Sequence, residues 1–229
     1  MTQLLDNVDL LIDMQVHLDR RIGRLAKRRR KDPNRLAPLL EIVPWVPQDL
    51  HDLYLRYDGA VGTITLWEEL AYFFGHFSWK SVSFMTSNNP GLRTNRNLPL
   101  LDEVAFAHGR SALRLVIVPL GEESYIMAAT LPTSKGIRYP AFDSLNGMVA
   151  SYIDALRDKV WTFGDDGTSH FDLPAFARIV DRHNAHGDYW RLLAEDKVDF
   201  QYDAEEERRA KPLPPVTGRE LLRRSGFDL

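Results

Sequence analysis

Imidazoles and carboxylates crowd one stretch of the chain, Asp181-Arg-His-Asn-Ala-His-Gly-Asp188. On a helix, side chains at i and i+3 lie on one face, and imidazole with carboxylate is a donor set that suits zinc or iron. His183, His186 and Asp188 are therefore the candidate metal ligands, with Asp181 beside them, and a metal-dependent hydrolase is the functional reading they would support. The competing reading makes them ordinary polar groups at a helix end. Gly187 marks a stop, and the spacing matches no metalloenzyme motif. The expectation is no metal, no cofactor and no catalytic residue.

The remaining titratable groups point the same way. The sequence holds no G-x-x-x-x-G-K-[ST] phosphate loop, no G-x-G-x-x-G turn, no G-x-S-x-G elbow and no H-E-x-x-H pair. His76 and His108 sit in F-G-H-F and A-H-G-R with no neighbouring carboxylate in sequence to tune them. Asp165-Asp166-Gly167 lacks the alternating ligands and closing Glu of a calcium loop. The chain has no cysteine, which excludes disulfides, thiolate metal sites and cysteine nucleophiles and fits a reducing compartment.

A chain of 229 residues with 44% apolar content can build a sizeable core. A net charge of −3 gives no overall attraction to nucleic acid or anionic lipid. Met1 to Gln15 carries Asp6, Asp9 and Asp13 and no Lys or Arg, the opposite of a secretory signal. No apolar run approaches the roughly twenty residues that span a bilayer. The expectation is a cytoplasmic protein with no membrane partner and no direct nucleic-acid contact.

Three regions are expected. In residues 1–33, Leu4, Val8, Leu11, Leu18, Ile22 and Leu25 follow heptad steps with Gln15 in the polar slot. This predicts one long helix packed on its own domain, closed by the basic run Lys27–Lys31, with a homodimer or scaffold seam as the alternative. Residues 34–163 are expected to form an α+β domain. Pro47 starts a helix whose stripe is Leu50, Leu53, Tyr54 and Tyr57 and whose stop is Gly59. Strands follow at 62–67 and 81–85, then a long loop over 87–99. The clearest strands are 113–118 and 124–130, with a short one at 137–139. Asp143 or Ser144 then caps a helix carrying Leu145, Met148, Val149, Tyr152, Ile153 and Leu156. Residues 164–229 are expected to be a helical extension, with segments at 173–180 and 189–198, ending in a charged, proline-rich tail. Trp45 and Trp67 are expected in the core.

Four features in this order resemble the SMI1/KNR4 (SUKH) superfamily. They are the Pro47-led helix reaching Asp58-Gly59, the strand reaching Trp67, the strand turn Val118-Pro119-Leu120-Gly121 before Tyr125-Ile-Met127, and the helix around Met148 to Leu156. The resemblance covers about Leu36 to Asp158, with Pro47, Asp58, Gly59, Trp67, Pro119 and Gly121 as its motif positions. It implies an α+β fold with a curved antiparallel sheet flanked by helices. It also implies binding in place of catalysis, since many bacterial members are immunity proteins that neutralise a nuclease or deaminase toxin by direct contact. The expected function is thus a non-catalytic protein-binding module, most simply an immunity protein with a toxin domain as partner. An exposed aromatic face of the sheet is its expected contact surface, although the partner-binding residues are not identifiable from sequence.

Overall fold

Ser144 takes extended backbone, and its hydroxyl accepts from the Gly147 amide at 3.0 Å, so the chain turns into helix α4 (Leu145–Arg157) at the expected cap. The apolar residues of α4 all face one way, and Leu145, Met148, Val149, Tyr152, Ile153 and Leu156 are buried. The computed structural model describes residues 3–18, 26–28, 34, 36–40, 46–60, 78–79, 104–108, 114–120, 124–130, 138–163 and 169–198.

Beneath α4 lies an antiparallel sheet in the order β3 (Ser78–Trp79), β4 (Val104–His108), β5 (Arg114–Pro119), β6 (Tyr125–Thr130), β7 (Arg138–Phe142). Sequential neighbours pair throughout, so no long crossover is needed. The central ladder runs from Arg114↔Thr130 to Pro119↔Tyr125, and the Leu120 amide donates to the Ser124 carbonyl at 2.8 Å to begin the turn. Between β6 and β7 the register slips by one residue: Met127 faces Phe142 while Ala128 faces Pro140. The strand expected at 137–139 therefore runs on to Phe142. Along β5 and β6 the residues alternate between two buried faces. Leu115, Ile117, Tyr125, Met127 and Ala129 join the main core, while Val116, Val118, Ile126 and Ala128 form a second cluster on the far side. The middle of the sheet is thus covered on both faces and does not present the open aromatic face expected from the sequence.

Helix α1 (Gln3–Leu18) lays Leu4, Val8, Leu11 and the polar Gln15 into the main core beside α4, and Asn7 donates to Asn146 on α4 at 3.0 Å. The part of the heptad seam that is described is thereby consumed inside the chain's own fold. The expected helix does not continue to Lys31. Ala26–Arg28 forms strand β1, antiparallel to β2 (Tyr57–Ala60) with Ala26 opposite Ala60 and Arg28 opposite Tyr57. Ala, Lys and Arg favour helix locally, so here strand pairing overrides propensity.

A short turn of helix, α2 (Ala37–Leu40), precedes α3 (Gln48–Arg56). Pro47 is the residue before α3 and not its first turn. The helix also ends earlier than Gly59 suggests. Tyr57 is already extended at φ −126°, and Asp58 and Gly59 lie in β2. The reason is tertiary: Arg56 and the Tyr57 hydroxyl both donate to Asp9 on α1, and the Tyr57 ring packs 5.8 Å from that of Trp79 on β3. Tyr54 completes this corner by accepting from the Trp79 indole N–H at 3.0 Å.

Beyond α4, β8 (Trp161–Phe163) pairs antiparallel with β9 (Ser169–Phe171). The boundary expected at 163/164 therefore falls between two paired strands. Asp172 then caps α5 (Leu173–His183) by accepting from the Ala175 amide at 3.0 Å, and α6 (Asp188–Ala194) follows Gly187. Phe176, Ile179 and Val180 of α5 and Tyr189 and Trp190 of α6 belong to the same core as α4 and the sheet. Rings link them directly: Phe176 lies 5.1 Å from Tyr152 and 4.7 Å from Trp190, which lies 5.6 Å from Phe142. The architecture is α+β. The expected strands at 62–67 and 81–85, the loop at 87–99, Trp45, Trp67, Gly121, Asp165–Gly167 and the proline-rich tail lie outside the described residues.

Candidate functional site

Several polar side chains gather around the first turn of α4, from segments far apart in the chain. On one side stands Tyr125, the first residue of β6 and the register partner of Pro119. Its hydroxyl accepts from the Leu145 amide at 2.9 Å and donates to the Asp49 carboxylate at the start of α3. The other Asp49 oxygen accepts from the Leu50 amide at 2.7 Å. Burial pushes the Asp49 carboxyl above the usual carboxylate range, against the lowering pull of the bonds from Tyr125 and Leu50. Burial and the adjacent Asp49 charge hold the Tyr125 phenol far above its ordinary value, so it stays a neutral donor. Three segments distant in sequence, those led by Pro47, Pro119 and Ser144, meet at this hydroxyl.

On the other side stands Asn184, the residue that ends α5. It is buried; its side-chain oxygen accepts from the Asp143 amide at 3.0 Å. Its amide nitrogen donates to Ser151 Oγ at 3.2 Å and to the Val180 carbonyl at 3.1 Å. Asp143 returns the contact. Its carboxylate accepts from the Ala185 amide at 2.6 Å, from the His186 amide at 3.0 Å and from the His186 ring Nδ1 at 2.9 Å. Further along α4, Asp154 accepts from His183 Nε2 at 2.8 Å. A carboxylate has no proton to give, which fixes each imidazole nitrogen in these pairs as the donor.

The structure thus separates the candidate ligands. His183 turns to Asp154 and His186 to Asp143, while Asp188 pairs with Arg191 one turn along α6. Asp181 lies 3.9 Å from Arg191. Among the described residues no three His, Cys, Asp or Glu side chains group as metal ligands would. Two His–Asp pairs resemble the base-and-orienter half of a nucleophilic site, but the nearby hydroxyl, Ser151, is buried and donates to the Gly147 carbonyl at 2.8 Å. The groups serve to tie α5 and its following turn to α4. Of the motif positions, Pro47 leads α3, Asp58 and Gly59 lie in β2, Pro119 closes β5, and Trp67 and Gly121 lie outside the described residues. Sequence reasoning gave Tyr125, Asn184 and Asp143 no joint role, because their partners lie 20 to 76 residues away. The signal available was a polar Asn184 at the end of an apolar helical stripe.

Gly147 makes this joint possible. A Cβ there would come within 2.4 Å of Asn184 Oδ1 and 3.2 Å of the His183 carbonyl. Gly147→Ala should gain about 1 kcal/mol of helix propensity. It should lose more, about 1–3 kcal/mol net, by pushing Asn184 from its bonds. In an Asn184→Ala background the penalty should fall by at least about 1 kcal/mol, as expected for two residues in contact. Urea denaturation of the four proteins of this cycle reads the coupling; additive costs would show that the contact carries none.

No protein-family model matches the chain, and no curated protein and no solved structure matches it. Among the described residues no helix is long and apolar enough to cross a membrane.

Proposed function

We propose that this chain is a non-catalytic protein-binding module of the SMI1/KNR4 (SUKH) kind, acting as an immunity protein that neutralises a toxin domain by direct contact in the cytoplasm. The observation that carries the reading is the joint at Tyr125. The Pro47-led helix, the strand turn after Pro119 and the closing helix from Ser144 are segments on which the resemblance rests; the Tyr125 hydroxyl ties the first to the last, and Tyr125 itself is the register partner of Pro119. The antiparallel sheet with α3 before it and α4 after it is in keeping with the element order of that family. In this reading the sheet is curved as in that family, and the contact surface lies outside the covered middle of β5 and β6. The polar pairs at the start of α4 spend their chemistry on structure, which favours binding over turnover.

A chain of net charge −3 complements a basic nuclease, and a stable interface would bury at least about 1,000 Å² in total. The test is a tagged pull-down from the native host, with co-expression of the captured partner. A stoichiometric partner with a toxic domain, whose lethality this chain suppresses, is the expected result. A bait that captures no partner and protects against none of the host's toxin domains would overturn the proposal.

A further inference from the structure

We propose that Asn146-Gly147, at the start of α4, is a spontaneous deamidation site that the fold holds shut, and that its isoaspartyl product keeps the first turn of α4 from re-forming. The proposal stands independently of the function proposed above. Asn146 is the sole asparagine of the sequence followed by glycine, and a glycine has no Cβ to hinder the approach of its own nitrogen. The reaction is an attack of the Gly147 backbone nitrogen on Asn146 Cγ. A bond forms between them, the bond from Cγ to Nδ2 breaks, and ammonia leaves with the proton that Gly147 gives up, closing a five-membered imide. Water then adds to one of the two imide carbonyls and that C–N bond breaks. The product is aspartate, or isoaspartate when the chain continues through the former side-chain carbonyl.

In the folded chain the reacting groups are all engaged. The Gly147 amide, which must lose its proton to attack, donates it to Ser144 Oγ at 3.0 Å. The Asn146 side-chain oxygen accepts from Asn7 Nδ2 on α1 at 3.0 Å, which fixes the carboxamide against another helix. Both residues lie in α4, and a helical ψ of about −42° turns the Gly147 nitrogen away from Cγ. Rotating the backbone to close the ring would also move Gly147 from beneath Asn184, whose Oδ1 lies 2.4 Å from where a Cβ would stand. The reaction therefore waits for the first turn of α4 to unwind, and its rate scales with the fraction of time that turn is open. Isoaspartate adds a methylene to the backbone and takes Gly147 out of register with both Ser144 and Asn184. Aspartate adds no backbone atom, and a carboxylate in the first turn meets the positive end of the helix.

The experiment ages the full chain in mildly alkaline buffer, with and without urea, and follows Asn146 by peptide mass spectrometry. Enzymatic methylation of isoaspartyl carboxylates tells the two products apart. The native chain should react at least about tenfold more slowly than the urea-unfolded one. Ser144→Ala removes the cap and should raise the native rate about fivefold, leaving the rate in urea unchanged because the reacting dipeptide is the same. Asn7→Ala, which frees the carboxamide from a distant segment, should also speed the native reaction. After removal of urea the isoaspartyl fraction should melt at a lower Tm than the unmodified fraction, while Asn146→Asp should keep the parent's ellipticity and Tm. A native rate equal to that in urea overturns the proposal, as does a native rate indifferent to Ser144→Ala or an isoaspartyl chain with the parent's Tm.

Discussion

Raising the pH past 10 should unfold this protein steeply, in one transition in which tyrosines ionise and helix is lost together. Tyr125, Tyr152 and Tyr189 are each buried and each held above the ordinary phenol value of 10, with burial the leading cause in all three. The sign follows from proton counting. Below pH 10 both folded and unfolded chains keep these protons, and stability is fully present. Above it the unfolded chain releases them while the folded chain holds them, so stability falls as pH rises. Each such group contributes about 1.4 kcal/mol per pH unit, and with the buried Tyr57, raised by the same leading cause, the four together about 5–6 kcal/mol per unit. Against a total stability of about 5–15 kcal/mol, the midpoint should lie roughly one to three units above 10. Tyr189→Phe removes a group whose shift has burial as its sole cause, and should lower the slope by about a quarter. The measurement is tyrosinate absorbance alongside far-ultraviolet ellipticity. If these three phenols ionise gradually while ellipticity stays native, burial does not hold their protons.

Much of this arrangement is legible in the sequence, and the rest is hidden for identifiable reasons. The strands around Val116 and Ile126 and the helix from Leu145 declare themselves because their signals are local: β-branched runs in one case, apolar spacing of three and four with a serine cap in the other. The end of α3 does not. Gly59 offers a plausible stop, but Tyr57 leaves the helix three residues after Tyr54 because Asp9, Arg28 and Trp79 give it partners. None of the three is near in sequence. The same holds for the candidate ligands. His183 and His186 sit close enough along the chain to suggest a shared ion, yet their carboxylate partners are 29 and 43 residues distant, Asp154 on α4 and Asp143 just before its cap. Spacing fixed which residue types come near one another, and tertiary packing decided which atoms meet.

Trp190→Ala should destabilise the whole fold and not only the segment that carries it. Trp190 is fully buried, edge-on to Phe176 at 4.7 Å and tilted against Phe142 of β7 at 5.6 Å. Phe176 in turn packs on Tyr152 of α4 and, at 4.6 Å, on Phe171 of β9. Truncating a tryptophan in such a setting costs about 3–5 kcal/mol, the lost burial plus the cavity left behind. For a chain of this size that lowers Tm by roughly 6–20 °C. An extension folded by itself would confine the damage to α5 and α6. One continuous ring cluster predicts that amides of α4 and β6 lose hydrogen-exchange protection together with those of α5, as members of one cooperative unit do. Exchange in the variant, followed segment by segment, separates the two outcomes. Unchanged protection of α4 with a frayed α5 would show that residues 169–198 only lean on the core they line.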